Sequence, residues 1–234
     1  MEIISDENNS EIKTLESNHR LNSNEFLASG KGSRCEVSSN GVIWRLGSLS
    51  FAKWLNDKEF WLHSGSALYC SEDNRTTVFS TRSSTATFSG KGTIIIEALQ
   101  NGGFKFIPLE ASGILSTQIG KVQKVKDGRM LLVLNTPSYF GDSYDLDLLL
   151  LLKSSRLINA YPTPLPTFDQ IGLAIYVQQL KLKGKFDALI GDAPTNEKLE
   201  VWAFGKNAPK GSTKLVPKTQ PKGDGFWNRL FRKD

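Results

Sequence analysis

The chain holds one group of residue types that hydrolytic enzymes use, an imidazole close to serines and carboxylates. His63 is preceded by Asp57 and Glu59 and followed by Ser64 and Ser66. A nucleophile, a base and an orienting acid work together only when the fold brings them into hydrogen-bond geometry. The spacing here specifies no such geometry and is typical of a structural or surface histidine. We therefore predict no catalytic residue and a protein that is not an enzyme.

Metal-ligating side chains are scarce, with two His and two Cys in 234 residues. A structural zinc site takes four ligands, and catalytic zinc sites rely on several histidines, whereas His19 lies in a polar arm and His63 in a predicted strand. Asp142, Asp145 and Asp147 lack the loop glycine and the terminal glutamate of an EF-hand. Their position indicates the start of a helix, so we predict no metal site and no cofactor site.

Two glycine-lysine segments are similar to pieces of a phosphate-binding loop. They are Gly30-Lys31-Gly32-Ser33 and Gly90-Lys91-Gly92-Thr93. A phosphate-binding loop places Lys directly before Ser or Thr, between a strand and a helix. Here a glycine separates the two residues and a β-rich run follows, so these segments are predicted to be turns.

The two cysteines, Cys35 and Cys70, alternate with the apolar residues Val37 and Leu68. This pattern favours buried free thiols. A disulfide is the alternative, and it would fit an oxidising compartment.

The end of the sequence combines aromatic and basic side chains. On a helix, Phe226 or Trp227 would share one side with Leu230 and Phe231, at i, i+4 spacing. Such a segment could dock in a partner groove, lie on an anionic membrane surface, pack on its own domain or remain a frayed tail. The candidate docking residues are Phe226, Trp227, Arg229, Leu230, Phe231, Arg232 and Lys233.

Charge divides the chain into parts. Residues 1–26 hold six acids and two bases, and residues 205–234 hold eight bases and two acids. The net charge of +5 is therefore a property of the tail, and we predict no nucleic-acid partner. We expect a disordered acidic arm over 1–26, a β domain over 27–135, a helical extension with an optional short hairpin over 136–204, and a basic flexible tail over 205–234.

Between about residues 34 and 134, short β-branched and aromatic runs alternate with glycine-containing turns such as Asn40-Gly41. About ten strands at spacings of roughly 8–12 residues predict an antiparallel sandwich or barrel. The apolar spacing then changes and predicts two helices, Asp142–Tyr161 and Ile171–Leu182, joined by a proline-rich connector. The predicted class is mainly β with a C-terminal two-helix extension.

Several segments, in order, resemble the FecR-like domain family. They are the hairpin Gly32–Val37 with Gly41–Gly47, then Leu62–Leu68, the strand pair Ser84–Glu97, and the run Phe104–Ser112. The resemblance covers about residues 30–135 and contains no catalytic motif.

This resemblance implies a jelly-roll-like antiparallel β-sandwich that acts as an interaction module in cell-envelope signalling or assembly. It implies a periplasmic or secreted location and a protein partner in the envelope, with peripheral membrane contact through the tail as an option. No signal peptide is visible in residues 1–25, and the most apolar run is too short to span a membrane. The chain therefore resembles a stand-alone member, without the transmembrane and anti-sigma parts.

A carbohydrate-binding jelly-roll module is the alternative function. Sugar rings stack on exposed aromatic side chains, and two or three coplanar ones on one face would favour this function, whereas their burial would remove it. The candidates are Trp44, Trp54, Trp61, Trp202 and Tyr69.

Overall fold

The computed structural model describes residues 2–5, 12–14, 16, 18–22, 25–192 and 199–203. Within them, thirteen strands form one continuous, mostly antiparallel sheet. These strands are β1 (Glu2–Ser5), β2 (Ile12–Thr14), β3 (Glu25–Ala28), β4 (Cys35–Ser39), β5 (Val42–Leu46), β6 (Phe51–Asn56), β7 (Glu59–Ser64), β8 (Ser66–Ser80), β9 (Thr85–Ala98), β10 (Phe104–Thr117), β11 (Val122–Lys124), β12 (Arg129–Leu134) and β13 (Tyr139–Asp145).

Three long strands, β8, β9 and β10, hold the sheet together and let it fold into two layers. The first half of β8 pairs with β5, and its second half pairs with β7. The first half of β10 pairs with β12, and its second half pairs with β11. Rings from the two layers meet between them, as Trp44 of β5 and Phe60 of β7 do at 4.2 Å between centroids. The predicted mainly β, sandwich-like class is confirmed.

Glycines sit where the long strands bend. Gly90 and Gly92 lie inside β9, not in a turn, so the predicted turn is wrong and its two flanking strands are one. A Cβ on Gly92 would lie 2.1 Å from the carbonyl oxygen of Glu110, and one on Gly90 would lie 2.1 Å from that of Ser112. Backbones approach this closely because no side chain intervenes, which suits a strand that turns a corner.

The layer that contains the first half of β10 alternates its side chains between two apolar clusters. In β9, Ile94 and Ile96 point into the aromatic cluster between the layers, and Ile95 points to the opposite face. All three are buried. A strand whose two faces are both covered has a continuous apolar run, and the helical extension is what covers the outer face of this layer.

The extension contains three helices and a hairpin, namely α1 (Leu148–Ser154), α2 (Arg156–Asn159), α3 (Phe168–Leu182), β14 (Ala188–Asp192) and β15 (Leu199–Ala203). The first predicted helix begins later, since residues 139–145 continue the sheet as β13. The Asp147 carboxylate accepts hydrogen bonds from the amides of Leu149 and Leu150, which starts α1 there. Ser155, extended at ψ 119°, then separates α1 from α2.

The arm also differs from its prediction. Strands β1 and β2 lie within residues 1–26, and β1 pairs with β3 beside it. An unpaired edge of β3 offers backbone hydrogen-bond groups to a neighbouring extended segment, and residues 2–5 occupy that edge.

Candidate functional site

The exposed face of helix α3 is an apolar surface, which we call the α3 stripe and define as Leu173, Tyr176 and Leu180. Their side chains are 62%, 62% and 59% exposed. They are the most exposed large apolar side chains in the part of the chain that the structure describes. Spacing of three, four and seven residues puts all three on one side of the helix.

The opposite side of α3 explains why this face is outward. Ile171, Ala174, Ile175 and Gln178 are buried there against the outer apolar cluster. The Gln178 side chain donates to the Leu146 carbonyl oxygen at 2.8 Å. It also accepts from the Leu148 amide at 3.3 Å. A helix that is apolar on both sides usually has both sides covered by other residues. The α3 stripe is therefore an apolar face that the described residues leave uncovered.

Charges stand at the two ends of the α3 stripe. Asp169, one turn before Leu173, is exposed in the first turn of α3. Lys181, Lys183 and Lys185 are exposed at the other end. The surface is therefore apolar in the middle, acidic at its start and basic at its end.

A cleft of about 470 Å³ opens at one end of the sandwich. Its aromatic wall consists of Trp44, Trp54 and Tyr69. Its polar rim comes from the hairpin turns and from β8, and consists of Asn22, Ser39, Asn40, Asn56, Asp57, Lys58, Arg75, Thr76 and Thr77. Arg75 donates to the Asn40 carbonyl oxygen across the cleft and lies 3.8 Å from the Asp73 carboxylate.

The cleft aromatics do not form a flat platform. Trp44 is 7% exposed and Tyr69 is fully buried. The ring of Trp54, which is half-buried, meets that of Trp44 at 85° with 5.9 Å between centroids. The condition of two or three coplanar exposed rings on one face is therefore not met here, and the side chain of Trp202 lies outside the described residues.

Trp61 belongs to a different group of rings, on the outer face of the layer that contains β3, β6 and β7. Phe26 and Phe51 stack at 5.2 Å with 5° between their planes, and Trp61 meets Phe26 edge-on at 6.1 Å. His63 lies 5.3 Å from the Trp61 ring. The Lys53 ammonium lies 4.4 Å from the centre of the Phe26 ring, a cation–π contact.

The structure brings His63 against aromatic rings, not into a hydrolytic set. Its neighbours are Phe51 and Trp61. Ser66 is buried, and its amide donates to the Ser50 hydroxyl oxygen at 2.9 Å. Among the residues with described positions, no three His, Cys, Asp or Glu side chains lie together as a metal site. Over the same residues, no helix has the length and apolar character needed to cross a membrane.

The cysteines are free and lie in different environments. Cys35 packs beside the cluster between the layers, and Cys70 is buried in the outer cluster. Burial raises the pKa of the Cys35 thiol to about 12. Burial also raises the pKa of Tyr161, with Cys35 a smaller cause. Both groups are therefore protonated at neutral pH and poor nucleophiles.

Glu110 has a carboxylate that is not fully satisfied by hydrogen bonds. Its Oε2 atom is buried and has no hydrogen-bond partner. Burial raises its pKa, and the neighbouring charge of Asp127 raises it further, whereas Lys91 acts in the opposite direction. The Asp127 carboxylate accepts from the Ala111 amide at 2.9 Å. This pair lies beside the bend in the long strands, where Glu110 faces the backbone of Gly92 across β9 and β10.

The predicted docking residues Phe226, Trp227, Arg229, Leu230, Phe231, Arg232 and Lys233 lie outside the described residues. Sequence reasoning missed the α3 stripe. The i, i+3, i+7 spacing of Leu173, Tyr176 and Leu180 was the signal available, since it lies opposite a second apolar side of the same helix.

The chain has little similarity to known proteins. No protein-family model matches the chain, and no curated protein matches it. Two crystal structures of a candidate anti-sigma factor from Parabacteroides distasonis ATCC 8503 are similar to it, with TM-scores of 0.44 and 0.43 and 9% sequence identity. In each case the likeness covers 77% of this chain and 99% of that one. A likeness at this level carries no argument for a shared function.

Proposed function

We propose that this chain is a non-catalytic binding module that engages a protein partner through the α3 stripe. The observation that carries the proposal is the exposure of Leu173, Tyr176 and Leu180 on a helix whose opposite side is already packed. Contiguous exposed apolar surface on a folded domain marks an interaction site more often than scattered apolar residues do.

The chemistry of the α3 stripe defines the partner. Three apolar side chains at helical spacing fit a second helix that carries its own apolar anchors. The exposed Lys181, Lys183 and Lys185 beside the stripe favour acidic residues next to those anchors. We therefore infer an acidic amphipathic helix of a protein as the partner.

The cell envelope is the place of action in this proposal, and signalling or assembly the process. The support is the order of FecR-like motifs between residues 30 and 135. A periplasmic or secreted location follows from the same resemblance and is tested by locating the native protein in fractionated cells.

Site-specific photo-crosslinking tests the docking surface directly. A photoreactive phenylalanine replaces Tyr176 in one variant and Val122 in another, because Val122 is 57% exposed on a strand of the sheet, β11. We expect a protein that crosslinks from position 176 and not from position 122. That protein is then purified and titrated against the full chain.

The titration decides the proposal. We expect the Leu173→Gln/Leu180→Gln variant to bind the purified protein at least about tenfold more weakly than the native chain, a difference of about 1.4 kcal/mol. The Val122→Gln variant should bind as the native chain does. Equal affinity of all three, or turnover of a substrate by the purified chain, would contradict the proposal.

Carbohydrate binding is the second candidate, and it rests on the half-buried Trp54 alone, because the described rings of the cleft are neither coplanar nor jointly exposed. Half-buried Trp54 beside a rim of amides, hydroxyls and charged groups is a suitable lining for the end of a sugar chain. Calorimetric titration with short oligosaccharides should show binding that Trp54→Ala removes and Trp61→Ala preserves. Absence of binding by the native chain, or equal losses in both variants, would exclude the cleft as a sugar site.

A further inference from the structure

We propose that the segment Phe226–Phe231 of this same chain is an intramolecular ligand of the α3 stripe. This inference rests on the proposed function in one respect, namely that the stripe is a docking surface. It names the occupant of that surface when the partner is absent.

The first support is the position of the end of β15, the last described strand, relative to α3. Ala203, the last residue of β15, pairs with Ala188 of β14. Ala188 forms an isolated bridge with Leu146, and the Leu146 carbonyl oxygen accepts from Gln178 of α3 at 2.8 Å. Neighbouring strands lie about 4.8 Å apart. Two such steps put the end of β15 about 10 Å from a residue that contacts α3 directly.

The β14–β15 hairpin is also anchored through β15. The half-buried ammonium of Lys105 donates to the Leu199 carbonyl oxygen at 2.6 Å, and it pairs with Glu97 at 2.7 Å. Leu199 itself is buried in the outer cluster, together with the packed side of α3. The chain therefore leaves the described domain from an anchored strand on the packed side of α3, about 10 Å (one helix width) from the α3 stripe.

The second support is reach. Residues 204–225 separate Ala203 from Phe226, and their Lys, Pro, Gly and Thr content predicts a flexible linker. A flexible chain of that length has a root-mean-square span of about 25 Å. This span is similar to the distance to be covered, which is about 10 Å to Leu146 and about 10 Å more across the width of α3. A tether whose span matches the distance gives the segment an effective concentration of about 1 mM at its target.

The third support is the match in apolar character and length. Phe226 or Trp227, Leu230 and Phe231 would lie on one side of a helix, as the members of the α3 stripe do. The stripe extends about 10 Å from Leu173 to Leu180, and a helix over Phe226–Phe231 is about 8 Å long. Two short apolar faces of similar length can cover one another.

Charge selects the orientation of the segment. Arg232 and Lys233 follow the apolar anchors. An antiparallel arrangement brings these cations to Asp169 at the start of α3, and a parallel one brings them to Lys181 and Lys183. Opposite charges attract and like charges repel at such distances, so we infer that the segment lies antiparallel to α3.

Hydrogen exchange of the full chain tests the inference. If the free segment binds with a Kd of about 0.1 mM, tethering at about 1 mM should protect the amides of residues 227–232 about tenfold. The Leu173→Gln/Tyr176→Gln variant should lose this protection, since both positions are exposed and Gln keeps the helix. The matched control is Ile119→Gln/Val122→Gln, exposed apolar residues far from α3 in sequence.

A cysteine pair checks proximity independently. Tyr176→Cys combined with Leu230→Cys should form a disulfide within one chain at a rate that does not depend on protein concentration. Val122→Cys combined with Leu230→Cys should not. Disulfide-linked dimers from the first pair would instead mean that a second copy covers the stripe, and would overturn the inference.

Two further outcomes would also overturn it. Protection that appears only with vesicles of anionic phospholipid would mean that the segment binds membranes. Protection that persists in the stripe variant would mean that the segment docks elsewhere. Neither outcome touches the crosslinking from position 176, so the proposed function can stand where this inference fails. Partner binding strengthened by Trp227→Ser/Phe231→Ser would support both, because the segment and the partner would compete.

Discussion

The guanidinium of Arg45 lies over the ring of Tyr161, with 4.3 Å between its central carbon and the ring centroid. Arg45 is almost fully buried, and it donates to the carbonyl oxygens of Leu157, Ile158 and Thr163. Tyr161 in turn places its hydroxyl 3.0 Å from the Leu46 carbonyl oxygen. One β-strand residue therefore holds the connector that leads into α3.

Replacing Arg45 tests how much this contact contributes. In Arg45→Met, the carbonyl oxygens of Leu157 and Ile158 lose their donor in a buried place. The Thr163 carbonyl oxygen loses its donor near the surface, and Glu36 loses its ion pair. We expect the free energy of unfolding to fall by about 3 kcal/mol, because unsatisfied buried polar groups keep their desolvation cost. Denaturant unfolding measures the change. Arg82→Met is the control, since exposed Arg82 donates only to the Gln100 carbonyl oxygen, and a loss of equal size there would refute the explanation.

The bend in β9 gives a second prediction. Gly92 has φ +118°, and a Cβ there would lie 2.1 Å from a backbone oxygen. We expect Gly92→Ala to lower the free energy of unfolding by at least about 2 kcal/mol. Gly172→Ala is the matched control, because a Cβ at Gly172 meets nothing within 4 Å.

The control substitution is expected to change stability in the opposite direction. Gly172 lies inside α3, where alanine is the better helix former, so Gly172→Ala should stabilise the chain by up to about 1 kcal/mol. Thermal unfolding of both variants gives the comparison. Similar losses in the two would show that the bend does not require glycine.

Short-range signals were enough to predict part of this fold. Asn40 and Gly41 have φ of 50° and 76°, as a two-residue hairpin turn requires, and the predicted hairpin is confirmed. This turn is determined by its own two residues and does not depend on distant parts of the chain. Gly90 and Gly92 look the same in sequence, but their purpose depends on the opposing backbone at Ser112 and Glu110, which only the folded chain supplies.

The candidate surface escaped prediction for a similar reason. The spacing within α3 predicts a helix with apolar residues on both sides, but it does not say which side meets the sheet. In the structure the packed side is the one that carries Gln178, whose side chain bonds to Leu146 and Leu148, and Leu173 and Tyr176 face outward.

The thiols provide a third prediction, which separates the two alternatives left open by the sequence. Both cysteines are free in the structure. Without any reductant, the denatured chain should therefore release two equivalents of thionitrobenzoate from Ellman's reagent. In the native chain at pH 8, Cys35 should react far more slowly than in denaturant, because its pKa of about 12 leaves almost no thiolate. No release in denaturant would mean a disulfide.

Glu110 is expected to make the free energy of unfolding depend on pH. Burial, followed by the charge of Asp127, raises the pKa of Glu110 in the folded chain above its unfolded value. The folded state therefore binds more protons than the unfolded state between the two values, and stability falls as the pH rises through them. Above the folded pKa, Glu110→Gln should be more stable than the native chain, since it buries no charge beside Asp127.

The expected gain is below about 1 kcal/mol, because a half-exposed carboxylate is partly screened by solvent. Below pH 4 the two chains should converge in stability, since Glu110 is then protonated in both states. Denaturant unfolding from pH 3.5 to 8 measures the crossover, with the exposed Glu72→Gln as the control. A variant less stable than the native chain at pH 8 would show that the Glu110 carboxylate has a stabilising partner.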